Sequence, residues 1–298
     1  MGTLVRMVLH APGRERAREG ARAAFARIAD LDAALSDYRE TSEVTRVTRA
    51  AGGRPVPVGP DLFRLLARGS ELWRRSDGAF DVTVLPVTRL WRRTLRTGTW
   101  PDPTRHRRAL RLVDGGAMGL DAARRTVRLE RAGMGIDLGG IAKGYAGDEA
   151  LRVLRERGLP RALVAVGGDV VAGEAPPGEA GFVVEVAGSE GEAGERLRLR
   201  AAAASTSGGD EQWVERDGTR YSHVLDPRTG IGLAGRRRAT VVAGEGATAD
   251  ALATAACVLG AARGVALIEA TAGAEGTVFE EGVGRRESRG WAGLPRAE

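Results

Sequence analysis

From residue 14 to residue 35 the apolar residues fall on one side of a helix. Ala21, Ala24, Phe25, Ile28, Leu31 and Leu35 recur at helical spacing, with Arg and Glu on the other face. Such a helix has a stripe to bury, so the rest of the chain must supply a surface for it. What the chain offers is mostly short strands: 3–10, 162–166 continued by 170–172, 181–187 with 195–200, 221–226, 240–243, 276–280 and 285–289. Helices are expected from Pro60 to about Arg75, over 142–157, from Ala249 to Leu259 with Thr248 as N-cap, and over 261–269. Ser42 is placed to cap a shorter one, with Glu43 in its first turn. Short helices among many strands and hairpins indicate an α+β fold rather than a regular βαβ array. Gly167-Gly168-Asp169 interrupts one strand and reads as a bulge or a close backbone approach. Residues 92–132 are the least regular region. They suggest a helical piece near 104–109 and strands near 110–113 and 126–131, and their arginines read as a solvated face.

Several classes are excluded early. Cys257 is the only cysteine, so no disulfide framework and no cysteine metal site exists, and its apolar surroundings mark it as a core residue. No apolar run approaches the ~18 residues of a membrane span. The first residues lack a signal-peptide profile, so the chain as written is expected in the cytoplasm; a start further upstream would allow export or membrane anchoring. A net charge of +6 over 298 residues is too modest, unless clustered, to indicate nucleic-acid binding.

Lys143 is the only lysine among 45 Lys and Arg residues. It lies in Asp137-Leu138-Gly139-Gly140-Ile141-Ala142-Lys143-Gly144, at the start of a helical pattern. A compact ammonium in a chain that otherwise uses guanidinium points to a task arginine does not perform. The stretch is neither a Walker A loop nor a Rossmann fingerprint, because its glycine spacing is wrong for both. Glycines that admit a ligand to the backbone, a helix N-terminus and a point charge still suit an anion. Asp250 and Thr254 stand one helical turn apart on one face, and two hard oxygen donors there suit Mg²⁺ held with substrate phosphates. The plainer reading of Asp250 is a charge complementing the helix dipole. Asp81, inside an apolar segment, either faces a ligand or is neutralised by an arginine. His223 precedes the polar turn Asp226-Pro227-Arg228-Thr229-Gly230, whereas His10 and His106 have surface-like surroundings.

Taken in order, eight blocks resemble the ApbE family of FAD:protein FMN transferases. They are Met1-Gly2-Thr3; Asp37-Tyr38 with Ser42-Glu43; Gly78–Thr83 with Pro86 and Trp91; Asp137–Tyr145 with Asp148; Gly167-Gly168-Asp169; Ser205–Gly208; His223–Gly230; and Ala249–Thr254. The resemblance spans nearly the whole chain, 1–298, as one unit without a clear linker. It departs after Gly209, at Asp210-Glu211-Gln212. It implies an α+β fold with two mixed or antiparallel sheets, packed helices and a flavin cleft between two lobes. It also implies Mg²⁺-dependent transfer of FMN from FAD to a threonine hydroxyl of a target flavoprotein, releasing AMP. By position, Met1, Tyr38, Ala79, Phe80, Asp81, Asp137, Lys143 and Leu225 (or its neighbour Val224) match flavin-contacting residues. The Gly140 carbonyl, Asp250 and Thr254 match metal ligands, and His223 matches a base for the incoming threonine. Lys143 and Asp250 would then share the catalytic work at the pyrophosphate. Either Tyr38 or Phe80 could pack on the flavin or adenine ring.

The same residues suit a Mg²⁺-dependent FAD pyrophosphatase, in which water replaces the threonine. A non-catalytic flavin-binding protein would not need a metal at the pyrophosphate, so Lys143, Asp250 and Thr254 together favour an enzyme. Nucleic-acid binding has only the basic pI behind it.

Overall fold

A computed structural model describes residues 3–186, 194–208 and 212–297. Its backbone is a seven-stranded antiparallel sheet. In spatial order the strands are Val5–Leu9, Ala162–Val166, Asp169–Ala172, Ala202–Gly208, Arg237–Ala243, Glu275–Glu280 and Gly284–Glu287. The alternation of a strand sorts its residues between two faces. Ala203 and Val241 point into the main core; their neighbours Ala204 and Val242 point the other way, onto Phe182, Leu197, Leu199 and the fully buried Trp291. The hairpin Phe182–Val186 with Glu195–Leu199 therefore covers one face. Helices cover the other.

Two of those helices lie directly on the sheet. Ala142–Glu156 packs on the first strands and Gly246–Glu269 on the later ones, and the two touch each other. The helix Arg14–Leu35 lies outside Ala142–Glu156, burying Ala24, Ile28, Leu31 and Leu35. Phe25, placed on the apolar stripe by its spacing, is 44% exposed instead. The helix Pro60–Arg75 has the predicted ends, and Ser42 caps Glu43–Arg49 by accepting from the Thr45 N–H at 3.0 Å. Two three-stranded sheets complete the fold: Val56–Pro57, Thr126–Leu129 and Met118–Asp121, and Trp213–Arg216, Thr219–Asp226 and Ile231–Ala234. The α+β expectation holds, organised as one large antiparallel sheet and small satellites. Met1, Gly209–Glu211 and the expected end of the strand at residue 187 lie outside the described residues.

Four local expectations are corrected. Gly167-Gly168 is not a bulge in a continuing strand but a two-residue hairpin turn. Both glycines have positive φ (58° and 97°), and Asp169 pairs back with Val166. The chain bends there because a left-handed pair closes a tight antiparallel turn, which returns Asp169 to the helix side. A helix missed in the sequence, Leu85–Thr97, buries Leu85, Thr88, Trp91 and Thr94 and stops at Gly98 in the left-handed conformation. Its arginines, spaced through the pattern, obscured the apolar face. The strand placed near 110–113 is instead the end of the helix Pro103–Leu110 and a turn.

The fourth correction concerns the long helix. It begins at Gly246, not after Thr248, and its first N–H groups are capped from another element. Asp148, on the neighbouring helix, accepts from Gly246 N at 2.6 Å and Ala247 N at 2.9 Å. Over Gly246–Glu269 the run is long and apolar enough to cross a membrane by length and composition. It is interrupted at Gly260 (φ 79°), where Glu280 accepts from Ala261 N, and most of it is buried in the core.

Candidate active site

The two sheet-borne helices approach through glycine. A Cβ on Gly144 would lie 2.0 Å from the Gly246 carbonyl oxygen, and one on Gly246 would lie 2.4 Å from that of Gly144. No other residue fits either position. The contact lets the Gly144 N–H reach Asp250 Oδ2 at 3.1 Å, joining the helix that carries Lys143 to the one that carries Asp250. Lys143 Nζ then sits 3.0 Å from Asp250 Oδ1 and 3.0 Å from Asp169 Oδ2, and 3.4 Å from the Gly139 carbonyl. Asp169 arrives on the glycine hairpin and is held by Ser205 Oγ, which donates to Oδ1 at 2.5 Å. Asp250 and Asp169 are buried, with side chains 3% and 5% exposed, while Lys143 keeps 31%.

One ammonium thus faces two buried carboxylates. Burial alone would lower the lysine's pKa, but the charges of Asp250 and Asp169 and its hydrogen bonds to them hold it above its ordinary value. Both carboxylates favour the charged ammonium at Lys143. Burial raises the Asp169 pKa first and the neighbouring Asp250 charge raises it further, against the opposing pull of Lys143 and Ser205. The cluster carries more negative charge than its lysine compensates.

Gly140 completes the corner. A Cβ there would stand 3.0 Å from Thr254 Oγ1 and 3.2 Å from the Phe80 ring, so glycine is what admits the backbone to this position. Gly140 thus lies against Thr254, one helical turn from Asp250, so the candidate donors here are a carbonyl, a carboxylate and a hydroxyl beside an under-compensated charge. That donor set is all hard oxygen and fits Mg²⁺ better than a soft transition metal. Among the described residues no group of three His, Cys, Asp or Glu side chains forms a metal cluster, so any metal held here relies on the backbone and Thr254.

A second assembly adjoins the first through Asp137. Its Oδ1 accepts from Gly139 N at 2.8 Å, shaping the loop, and its Oδ2 accepts from Arg92 at 2.9 Å. Burial raises the Asp137 pKa; Arg92 works against that, while Asp37 adds to it. The other end of the Arg92 guanidinium binds Asp37 at 2.5 Å, and its carbon lies 4.6 Å over the Tyr38 ring. Tyr38 is 76% exposed. Phe80 and Ala79 are 5% and 1% exposed, so of the two rings proposed for stacking, Tyr38 is the open one.

Asp81 meets neither of the alternatives read for it. Its carboxylate accepts from Thr83 N and Thr83 Oγ1, both at 2.7 Å, and from Gly115 N at 2.8 Å. Neutral donors, not an arginine, satisfy it, and burial leads in raising its pKa. Its effect on the site is to fix the turn from which the neighbouring Val82 carbonyl accepts the Asp137 N–H at 2.8 Å.

His223 lies half-buried on the strand Thr219–Asp226, which packs against the long helix and the strand carrying Ser205. On that strand Val224 is buried in the core and Leu225 is half-exposed, so Leu225 is the one of the pair able to touch a ligand. His106 is not the free surface residue its surroundings suggested: its Nε2 stands 3.3 Å from the Gly230 carbonyl, under the polar turn that follows His223. His10 is exposed beside Phe182. The structure places Lys143 against Asp250 and Gly140 against Thr254; sequence reasoning overlooked Asp169 as a partner of Lys143, Ser205 as the partner of Asp169, and Arg92 as the partner of Asp137. The signal for Asp169 was present: two glycines followed by Asp between apolar runs is a hairpin signature.

Comparison with known proteins follows the geometry. Residues 1–278 match the ApbE family. An FAD:protein FMN transferase of Treponema pallidum is 32% identical over 261 residues, covering 82% of this chain and 72% of the relative. The crystal structure of the ApbE protein from Thermotoga maritima superposes with a TM-score of 0.88 at 28% identity, covering 99% of this chain and 97% of that one. The apo form of the Pseudomonas stutzeri flavinyl transferase ApbE gives 0.83 at 27%, covering 99% and 98%.

Proposed function

The chain belongs to the ApbE family, and from that premise we propose that it transfers FMN from FAD to a threonine hydroxyl of a partner flavoprotein, releasing AMP. The observation that carries this reading is Lys143 held between Asp169 and Asp250, one helical turn from Thr254 and beside the glycine-lined approach at Gly140. Such a cluster has a fixed cation and spare negative charge, which is what a pyrophosphate with its divalent counter-ion requires.

In the proposed reaction the threonine oxygen attacks the phosphorus on the FMN side. The bond from that phosphorus to the bridging oxygen breaks, and the bridging oxygen leaves with AMP. The hydroxyl proton must be removed, because an alcohol of very high pKa is a poor nucleophile at neutral pH. His223 is assigned as its acceptor. Lys143 supplies charge to the phosphate oxygens as negative charge shifts onto the leaving group, and its raised pKa keeps that charge constant across the working range. Gly140 O, Asp250 and Thr254 would hold Mg²⁺, which when bound supplies further neutralisation of the pyrophosphate. Asp169, anchored by Ser205, orients Lys143. Tyr38 offers an exposed ring against which the flavin or the adenine can pack.

The test is incubation with FAD, Mg²⁺ and a flavoprotein fragment bearing the acceptor threonine. A Mg²⁺-dependent mass gain on the fragment equal to FMN supports transfer. FMN appearing only free in solution would replace transfer by FAD hydrolysis.

A further inference from the structure

The helix Leu85–Thr97 carries arginines that the site just described does not use. Arg89, Arg93 and Arg96 recur four and three residues apart on its exposed side, so they share one face. Among the described residues no carboxylate pairs with any of the three. Arg92, between them, is spent on Asp37 and Asp137. These side chains line an open cleft of about 660 Å³, bounded across the way by Tyr38 and Trp213. Among the described residues of that lining, one carboxylate, Asp37, stands with four guanidinium groups. Arg27, Arg152, Arg228 and Arg237, by contrast, are paired with carboxylates.

Arg92 also links the cleft to the Asp137 loop. Arg92 grips Asp37 in the cleft with one nitrogen and Asp137 with the other, and Asp137 begins the loop that ends at Lys143. A chain segment lying along Arg96, Arg93 and Arg89 is thereby led toward Tyr38 and the Asp137 loop. Trp213, 47% exposed, and Tyr38 offer apolar surface for side chains between the charges.

We infer that this arginine-lined cleft docks the acceptor protein, by binding an acidic segment next to the threonine that receives FMN. The inference rests on the transfer reading for the identity of the partner, but not for the chemistry of the groove. Arginine forks recognise carboxylates in pairs, and a single-sign groove speeds encounter with an oppositely charged partner. The arginines that line the cleft all come from one short helix, which suits a peptide segment more than the extended track a duplex requires.

The experiment uses the full chain and two fluorescein-labelled synthetic peptides. One carries a threonine flanked by aspartates, and the other has asparagine in their place. Fluorescence anisotropy in the presence of FAD should show the wild type binding the aspartate peptide about tenfold more tightly, a preference that fades with added salt. The triple variant Arg89→Glu, Arg93→Glu, Arg96→Glu should lose that preference while its FAD affinity, read by flavin fluorescence, stays within about twofold. The triple Gln variant guards against a folding defect and should give an intermediate loss. Equal binding of the two peptides by the wild type overturns the inference, as does a preference that survives in the Glu variant. A loss of FAD affinity in either variant overturns it too, by assigning these arginines to FAD. Displacement of the aspartate peptide by short duplex DNA at equal charge concentration would assign the groove to nucleic acid instead. Because binding is read without turnover, a wild type that shows the preference yet transfers no FMN supports the groove and sinks only the transfer reading.

Discussion

The helix Ala142–Glu156 serves two polar clusters, one at its start and one a turn further on, and they are built on opposite principles. At the start, Lys143 alone faces Asp169 and Asp250. Further along, Glu149 and Asp61 are surrounded by cations: Arg27 bonds both, at 2.5 and 2.6 Å, Arg152 adds to Glu149, and Arg64 reaches the Tyr145 hydroxyl, which itself donates to Asp61. The pKa directions record the difference. For Asp61 and Glu149, burial pushes upward but the hydrogen bonds and charges of the arginines win, and both are lowered. For Asp169 burial and a like charge win, and it is raised. A saturated network pins three helices together. An unsaturated one is a place where a further cation is welcome. Ion pairs by themselves do not mark a functional site; an imbalance among buried ones does.

The comparison breaks most sharply at Asp250. Asp250→Ala is expected to lower FMN transfer by about 10³-fold with the fold retained; unchanged acceptor labelling would remove Asp250 from the metal set. Next is Lys143→Arg, which preserves charge but replaces a compact donor by a planar fork between two carboxylates. A loss of about 10²-fold is expected in single-turnover labelling. Full activity would show that only the charge matters. The matching change in the saturated cluster is Arg27→Ala. It should leave transfer unchanged at 25 °C and lower the unfolding free energy in urea by about 2 kcal/mol, less than the roughly 3–5 kcal/mol of a fully buried broken pair, since Arg152 stays with Glu149. A rate defect comparable with that of Lys143→Arg would merge the two clusters into one functional unit.

The smallest effect is in pH dependence. Asp148, the cap supplied to the long helix, has its pKa pushed up to about 6, chiefly by burial and against the two N–H groups it accepts. A raised folded-state pKa means a contribution to stability that is full below the ordinary carboxylate range and lost as pH rises through about 6. Asp61 and Glu149 have the opposite sign: their contribution is present above the ordinary range and lost as pH falls through their lowered values. Asp148→Asn should therefore reduce, by one group's share, the fall of stability between about pH 4 and 6, to which the raised Asp81, Asp137 and Asp169 also contribute, and leave the acid limb intact. Denaturant midpoints across that range decide it; an unchanged slope would mean Asp148 is not among its sources.

Much of this was legible in the residues. A lone lysine in an arginine-rich chain singled out the start of that helix, and the Asp250–Thr254 spacing singled out the helix it meets. Apolar periodicity placed Arg14–Leu35 and Pro60–Arg75 to the residue. What was not legible depends on contacts distant in sequence. Asp169 meets Lys143 only because Gly167 and Gly168 turn the strand back, and Thr248 lost the capping role to Asp148, a hundred residues earlier. Arg92 looked like one more solvated arginine because nothing in its own segment shows that Asp37 and Asp137 converge on it. Local pattern gives the elements and the chemistry of single positions. Which charges share a burial site is a property of the tertiary arrangement.

The glycine pair Gly144 and Gly246 has a consequence for how such a site tolerates change. Spacing between the lysine-bearing and aspartate-bearing helices is set where one main chain rests on another, with no side chain between them. Side chains can swing to absorb an error; two peptide groups in contact have no such slack. The Lys143–Asp250 corner therefore has a hard stop built into its scaffold, like the shoulder that fixes the gap between the jaws of a gauge. Core substitutions elsewhere can be taken up by repacking before they reach Lys143 and Asp250, whereas a single methyl group at that stop would be passed on to both at once.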